Sequence, residues 1–460
     1  MIIKNKLQLI NNTKTKEIKK LRRDILEGLE FAVAAVDPYV LIKDNLKLKN
    51  EKLEIGGKLN LDLSKFKNIY LIGAGKATFM MAKGSEIILG NKIKKGFINV
   101  PEIPKNIKLK KIKATIASHP YPNKAGVLGA KKILNLAKKA RKSDLVFVLI
   151  SGGGSSLMPY PASGISLEDK IAMNKLLVKS PAVIQEINCV RKHISRIKGG
   201  LLAKALYPAK VVSLYLSDVV GDDLSSIASG PCVPDKSTFL QTIRILKKYN
   251  LWSRAPKNIK KYLLKGLSDK NLETPKPQDK IFKGNNFSHF ILGSNKVALF
   301  AFKKELQNRK YNCQIYTSKL QGDVYKLAKK FTEIAKKIIA SNRYKKPFVL
   351  LAGGEMTLKL KGRGFGGRNQ ELAMAISQYL PKNVVFASFN TDGVDGRTPK
   401  SVAGGICDEW TYARSQKLGL KIKEYIKNND SYLYLNKLNE VILTGKTGTN
   451  VGDIVIIGIV

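Results

Sequence analysis

The chain has 460 residues and carries 82 Lys and Arg against 35 Asp and Glu, a formal net charge of +47. Hydrophobic residues make up 44% of it, enough to bury a sizeable core, which excludes wholesale disorder. The longest apolar runs, Leu145 to Ile150 and Ile454 to Val460, have strand length and fall far short of the roughly 18 to 20 residues of a spanning helix, which excludes a transmembrane protein.

In chain order, Met1 to Thr15 is polar and Lys-rich and is expected to be a flexible tail. It has no apolar h-region, so no secretory signal is visible and the default compartment is the cytoplasm. Lys16 to Val36 reads as a helix, with Ile18, Leu21, Ile25, Leu29 and Ala32 on one face and a stop at Asp37-Pro38. Asn68 to Ile72, Leu145 to Ile150 and Val211 to Leu216 read as buried strands, each running into a glycine-rich or polar cluster. Apolar strands separated by helical stretches indicate βαβ units and a parallel sheet, with ligands gathered at the carboxyl ends of the strands. Arg254 to Asn286 is polar, with Pro256, Pro275 and Pro277, and is the candidate linker between a domain over 16–253 and another over 287–460. The second domain holds expected strands at His289 to Leu292, Pro347 to Leu351, Val384 to Phe389, Glu440 to Leu443 and Asp453 to Val460.

The lysines are spread over nearly every segment, as on a solvated surface, and no zinc finger, basic zipper or aromatic-rich RNA-binding strand is present. Weak, salt-sensitive binding to polyanions is expected from such a charge, but no specific nucleic-acid partner. Cys189, Cys232, Cys313 and Cys407 lie dozens of residues apart without a CxxC pair, which argues for reduced thiols over a metal site or disulfide framework.

Gly73-Ala74-Gly75-Lys76 begins like a dinucleotide fingerprint, but Thr78 holds the third glycine position. Gly445-Lys446-Thr447 resembles the end of a phosphate-binding loop, yet Glu440 stands where that loop needs its first glycine. Ser151-Gly152-Gly153-Gly154-Ser155-Ser156 after a buried strand can close backbone N–H groups on an anion, or form only a tight turn. It lacks the Gly-x-Ser-x-Gly of a serine hydrolase. Asp218, Asp222 and Asp223 after the third strand, and Asp392 and Asp395 in a second cluster, suit a magnesium ion that also binds phosphate, or cap turns. Gly353-Gly354-Glu355 and Gly366-Gly367-Arg368-Asn369 join glycine backbone to an arginine fork that fits phosphate or carboxylate. Arg191 and Lys198 belong to a basic cluster that binds an anion or coats a helix. Glycine loops, cations and acidic clusters on two α/β domains point to metal-assisted phosphoryl transfer.

The chain resembles the class II glycerate kinases, whose C-terminal part is the MOFRL domain. The resemblance rests on GAGKA at 73–77, SHPYPN at 118–123, ISGGGSSL at 150–157, CVRKHISRIKGG at 189–200, LSDVVGDDLSSIASGPCVPD at 216–235 and ETPKP at 273–277. It continues through LGSN at 292–295, GGEMT at 353–357, GFGGRNQELA at 364–373, TDGVDG at 391–396 and TGTNVGD at 447–453. It implies ATP- and Mg²⁺-dependent phosphorylation of glycerate, often at the 2-hydroxyl. The implied fold is α/β: a Rossmann-like N-terminal domain with a parallel sheet, a smaller C-terminal α/β domain, and an active site in the cleft between them. Carried over by motif, Lys76 and Arg368 are the candidate catalytic cations and Asp218 binds metal or orients the glycerate hydroxyl. Asp222, Asp223 and Asp395 are further candidate metal ligands. Substrate and ATP contacts fall to Gly73, Gly75, Ser151, Gly152, Gly153, Gly154, Ser155, Ser156, Arg191, Lys198, Gly353, Gly354, Glu355, Asn369, Thr391 and Asp392. Two departures, Lys446 before TGTN and RTPKSVAGG at 397–405, bear on substrate preference. The expected partners are glycerate and ATP, with no membrane, in a monomer or homodimer. An NAD(P)H-dependent hydroxypyruvate reductase, disfavoured by Thr78, and a basic nucleic-acid-binding protein are the alternatives. A role for Arg368 in an open cleft predicts that Arg368→Ala leaves stability nearly unchanged.

Overall fold

In the computed structural model, which describes residues 2–460, helices α1 (Lys6–Asn11), α2 (Lys16–Ala34) and α3 (Pro38–Asn45) precede a small antiparallel sheet of β1 (Leu46–Lys49), β2 (Lys52–Ile55) and β3 (Leu59–Asp62). Alternation begins with β4 (Asn68–Ala74), α4 (Thr78–Leu89), β5 (Ile93–Val100), β6 (Ile112–Ile116), α5 (Lys124–Ala137) and β7 (Asp144–Ile150). It continues with α6 (Gly154–Leu157), α7 (Leu167–Lys179), α8 (Ile184–His193), α9 (Leu201–Leu206), β8 (Lys210–Leu216), α10 (Phe239–Lys248), α11 (Lys257–Ser268) and β9 (Phe287–Gly293). After these come α12 (Asn295–Asn308), β10 (Asn312–Leu320), α13 (Val324–Ala340), β11 (Phe348–Gly354), α14 (Arg368–Ser377), β12 (Val384–Asn390) and β13 (Val402–Asp408). Three short helices lead to β14 (Val441–Leu443) and β15 (Asp453–Ile459).

The chain divides into two compact units. One comprises Pro38–Ser217 and Asp222–Leu292, and the other Met1–Asp37, Asp218–Gly221 and Gly293–Val460. The first is built on a sheet of order β6-β5-β4-β7-β8-β9, with the pairings from β6 through β8 parallel. Ala74 lies opposite Ile150, and Ile150 opposite Tyr215, so the loops that leave β4, β7 and β8 emerge side by side. β7 is buried along its whole length, as a central parallel strand covered on both faces must be. Side-chain caps start the covering helices: Asn123 Oδ1 accepts from Gly126 N at α5, and Ser166 and Asp169 form a reciprocal box at α7.

The second unit has a mixed sheet of order β10-β11-β15-β12-β13-β14, in which only β10 and β11 run parallel. The C-terminal strand β15 lies in the middle of it, and α13 and α14 pack their apolar faces on a core that includes Phe331, Leu350, Leu372, Phe386 and Ile457.

Three boundaries differ from the sequence expectation. Residues 2–15 are not a loose tail: α1 forms there, Ile3 and Leu9 are fully buried, and Asn5 Nδ2 donates to Val441 O at 2.9 Å; Met1, the first residue of the expected tail, lies outside the described residues. Together with α2 they belong to the mixed-sheet unit. The reason is electrostatic as well as apolar, because the buried guanidinium of Arg22 bonds Asp408 at 2.9 Å, both oxygens of Glu440 at 2.9 Å and Leu9 O at 2.8 Å. The expected linker at 254–286 is part of the parallel-sheet unit; Ile259 and Leu263 of α11 are buried in a core with Met173, Leu177, Phe239 and Leu246. The strand at 289–292 is β9, beside β8 in the parallel-sheet unit, not the start of the second sheet.

Candidate functional site

In the parallel-sheet unit, the loops after β4 and β7 interlock. Ser151 Oγ accepts from Ala77 N at 3.0 Å and lies 3.2 Å from Thr78 Oγ1, while Lys76 N donates to Gly152 O at 2.9 Å. Gly75, at φ +152°, has no room for a side chain, since a Cβ there would sit 2.0 Å from Ser151 Oγ. Gly73 is fixed in the same way by Leu149 O at 2.1 Å, and Gly154 by Ala74 O at 2.9 Å. Gly73, Gly75, Gly154 and Ser151, expected as ligand contacts, therefore serve the close approach of two loops. Gly153, at φ +78°, faces outward toward His119 and Lys76. The turn uses the N–H groups of Gly154, Ser156 and Leu157 internally, whereas those of Gly152, Gly153 and Ser155 have no partner among the described residues. Lys76 is exposed at this corner. Partial burial, and then the Lys76 charge, hold the His119 imidazole below its ordinary value.

Beside this loop is a cavity of about 690 Å³ lined by His119, Gly153, Ser155, Ser156 and Ile194, and by the cations Lys170, Lys175, Lys179, Arg191 and Lys198. No carboxylate lines it. Lys198 is 1% exposed and donates to Ser155 O at 2.8 Å and Ser155 Oγ at 2.6 Å. Burial, and then the charges of Lys170 and Arg191, hold its amine well below the ordinary lysine value. Among the described residues Lys170 bonds only Ile194 O, at 3.2 Å, and burial followed by the Arg191 charge brings it down to about 7. Arg191 Nε donates to Asn174 Oδ1 at 2.8 Å. The structure thus brings Ser155, Ser156, Gly153, Arg191 and Lys198 to one cavity, and adds Lys170 and Asn174, which the sequence reading did not single out. A signal for Lys170 existed: it shares the i, i+3, i+7 face of α7 with buried Met173 and Leu177.

In the mixed-sheet unit, Arg368 opens α14 and bridges two carboxylates, Asp453 at 2.8 Å and Glu355 at 3.0 Å. Burial acts against its charge, but Asp453 and Glu355 together raise its pKa above the ordinary value. Asp453 is fully buried, and burial pushes its carboxyl up to about 6 although Arg368 opposes this. Asn369 is fully buried: its Nδ2 donates to Asp453 at 2.8 Å and to Asp395 at 3.1 Å, and its Oδ1 accepts from Ser388 Oγ at 2.7 Å. Asp395 accepts from the N–H groups of Asn369 and Gln370 and from both side-chain amides, so it caps α14 and is not placed to ligate a metal. Thr391 accepts from Val451 N and donates to Gly452 O, and Asp392 Oδ1 accepts from Val394 N across a turn. Gly353 and Gly354 make room for Asn295 and for the backbone of Leu320. Asn369, Thr391, Asp395, Gly353 and Gly354 therefore hold the local fold together; Arg368 and Asp392 are partly exposed and Glu355 is exposed.

The acidic loop after β8 also divides. Asp223 accepts from Ser225 N, Ser225 Oγ and Ser226 Oγ, a turn-capping arrangement that occupies both its oxygens. Asp218 Oδ2 accepts from Asn450 Nδ2 at 3.5 Å. Among the described residues no group of three or more His, Cys, Asp and Glu side chains is arranged to hold a metal. The donor set suits an ion that takes one or two protein carboxylates and completes its shell with phosphate oxygens and water.

Family models match both halves: a domain of unknown function (DUF4147) over residues 24–264 and the MOFRL family over 348–453. Glycerate 2-kinase of Pyrococcus horikoshii is 38% identical over 92% of this chain and 94% of its own length. D-glycerate 2-kinase of Thermotoga maritima is 35% identical over 95% and 98%. The chain belongs to the glycerate kinase family. A solved structure titled glycerate kinase from Thermotoga maritima superposes with a TM-score of 0.83 at 36% identity, over 96% of this chain and 100% of that one. A solved structure from Pyrococcus horikoshii gives 0.82 at 37% identity, over 95% and 98%. The family's fold is thus shared across both units. No helix among the described residues is long and apolar enough to cross a membrane.

Proposed function

We propose that the protein is an ATP-dependent glycerate kinase that transfers the γ-phosphoryl group of ATP to D-glycerate and yields 2-phosphoglycerate and ADP. The observation that carries this reading is the cavity of the parallel-sheet unit: five cations and a glycine loop with unused N–H groups, and no carboxylate, form an environment for polyanionic reactants. The acceptor and the 2-position follow from the names of the relatives. In this reaction Lys76 and Arg368 steady the charge of the transferring phosphoryl group and Asp218 orients the acceptor hydroxyl. Phosphoryl transfer depends mainly on alignment and charge stabilisation, the tasks these groups suit. A magnesium ion held by Asp218 with nucleotide phosphates would neutralise charge on the leaving ADP.

Phosphorus NMR of the protein incubated with ATP, Mg²⁺ and D-glycerate tests the reading, because it reports whether transfer occurs and where the phosphate lands. A 2-phosphoglycerate resonance is expected. A 3-phosphoglycerate resonance would keep the kinase and overturn the acceptor position. Intact ATP, together with NAD(P)H oxidation by hydroxypyruvate, would replace the kinase with a reductase.

A further inference from the structure

The buried and part-buried basic groups of the parallel-sheet unit fall into two sets. Lys192 bonds Asp235 at 3.1 Å, and His193 and Lys276 bond Glu273 at 2.9 and 3.1 Å. Lys170 and Lys198 are as deeply buried, yet their partners are a backbone carbonyl in one case and Ser155 in the other. Beyond Nε, the guanidinium of Arg191 has no partner among the described residues. Burying cations without a counter-charge is costly, and an anion bound beside them offsets that cost. The depressed pKa values of both lysines express that missing partner, since an arriving anion restores the charged forms.

We infer that Lys170, Arg191 and Lys198, with Asn174 holding the arginine in place, form the seat for the carboxylate of the acceptor acid. Two features favour a small carboxylate over the nucleotide's phosphate chain. Lys170, Lys198 and Ile194 lie 6%, 1% and 1% exposed, so the seat is deep. Leu177 and Ile194 give the cavity an apolar flank that suits a short carbon chain. The arginine fork then holds the carboxylate, as it would any two-oxygen face of an anion. The assignment rests on the kinase reading only for the identity of the acid.

The test is calorimetric titration of wild type, Lys170→Met and Arg191→Met with D-glycerate alone, with ATP alone and with inorganic phosphate, alongside steady-state KM values. Lys170→Met replaces a buried charge by an apolar chain of similar length and is expected to be at least as stable as wild type, so lost binding in it is not lost folding. Both variants should weaken D-glycerate about ten- to a hundredfold, as loss of a charged hydrogen bond implies, and leave ATP within about twofold. Arg191→Lys should recover part of the loss. Weakened ATP with unchanged D-glycerate, equal weakening of both, or no change in either would overturn the seat. A wild type that binds D-glycerate but transfers no phosphate would sink the kinase reading and leave the seat standing.

Discussion

Arg368→Ala tests whether this arginine acts only on substrate or also supports the fold. Its guanidinium lies 2.8 Å from Asp453, which is fully buried, and 3.0 Å from the half-exposed Glu355. Truncation leaves Asp453 in the interior with Asn369 Nδ2 at 2.8 Å and Met356 N at 3.0 Å as its remaining donors. Breaking a buried ion pair costs about 3–5 kcal/mol. Two donors survive and the arginine side chain is 25% exposed, so a loss of ~2–3 kcal/mol at pH 8 is expected. The sign of the pH dependence follows from Asp453, whose carboxyl is raised from 3.8 to about 6 by burial even with Arg368 present. In the folded protein this group holds its proton more readily than in the unfolded chain, so its contribution becomes less favourable as pH rises from about 4 through 6. Without Arg368 the carboxyl rises further, and the deficit of the variant should be small at pH 5 and full at pH 8. Urea unfolding at both pH values reads the stability, and phosphorylation of D-glycerate reads turnover, which should fall at least about a hundredfold. Adding Asp453→Asn should restore the stability but not the turnover. An Arg368→Ala protein as stable as wild type at pH 8 would refute the ion-pair argument. Recovery of turnover in the double variant would remove Arg368 from catalysis.

Lys76 gives the contrasting case, since it is exposed and its backbone alone ties it to Gly152. Lys76→Ala should lower turnover at least about a hundredfold and shift unfolding free energy by no more than about 0.5 kcal/mol; near-normal turnover would take it out of the mechanism. Asp218→Asn should raise the magnesium concentration needed for half-maximal rate, and an unchanged titration would count against metal binding. Burial alone would lower the pKa of His193, but the Cys189 side chain and then Glu273, which it meets at 2.9 Å, carry it up to about 9. A raised histidine contributes stability fully below about 6.5 and loses it as pH climbs through 9, so wild type should lose up to ~3 kcal/mol over that window. His193→Gln should show a flatter profile there, and a parallel slope in both proteins would show that the ion pair does not form.

The loops after β4, β7 and β8 were legible because a glycine run behind an apolar strand is a local signal, and the parallel register then places those loops together. β5, β6 and β10 were not legible. Their burial alternates or is patchy, with lysines such as Lys94, Lys95 and Lys113 facing solvent, so no apolar run marks them. The central place of β15 and the assignment of β9 to the first sheet depend on contacts between distant segments, which periodicity does not encode. Polar residues were the harder problem. Asn369, Thr391 and Asp395 have the composition of a ligand site, yet they face one another and the neighbouring backbone. Side-chain type alone does not tell a polar group that waits for substrate from one that satisfies a buried loop.

Charge bookkeeping separates these two cases. With 82 basic and 35 acidic side chains, most cations of this protein must go without a carboxylate. On the surface that costs little, because water solvates them. In the interior it is costly, and five acids there meet cations: Asp408 and Glu440 on Arg22, Asp235 on Lys192, Glu273 on His193, and Asp453 on Arg368. Against that pattern Lys170 and Lys198, buried without an acid beside Arg191, mark a place where the counter-charge comes from outside the chain. Buried lysines that lack an acid, more than the number of lysines, therefore locate the anion that this protein binds.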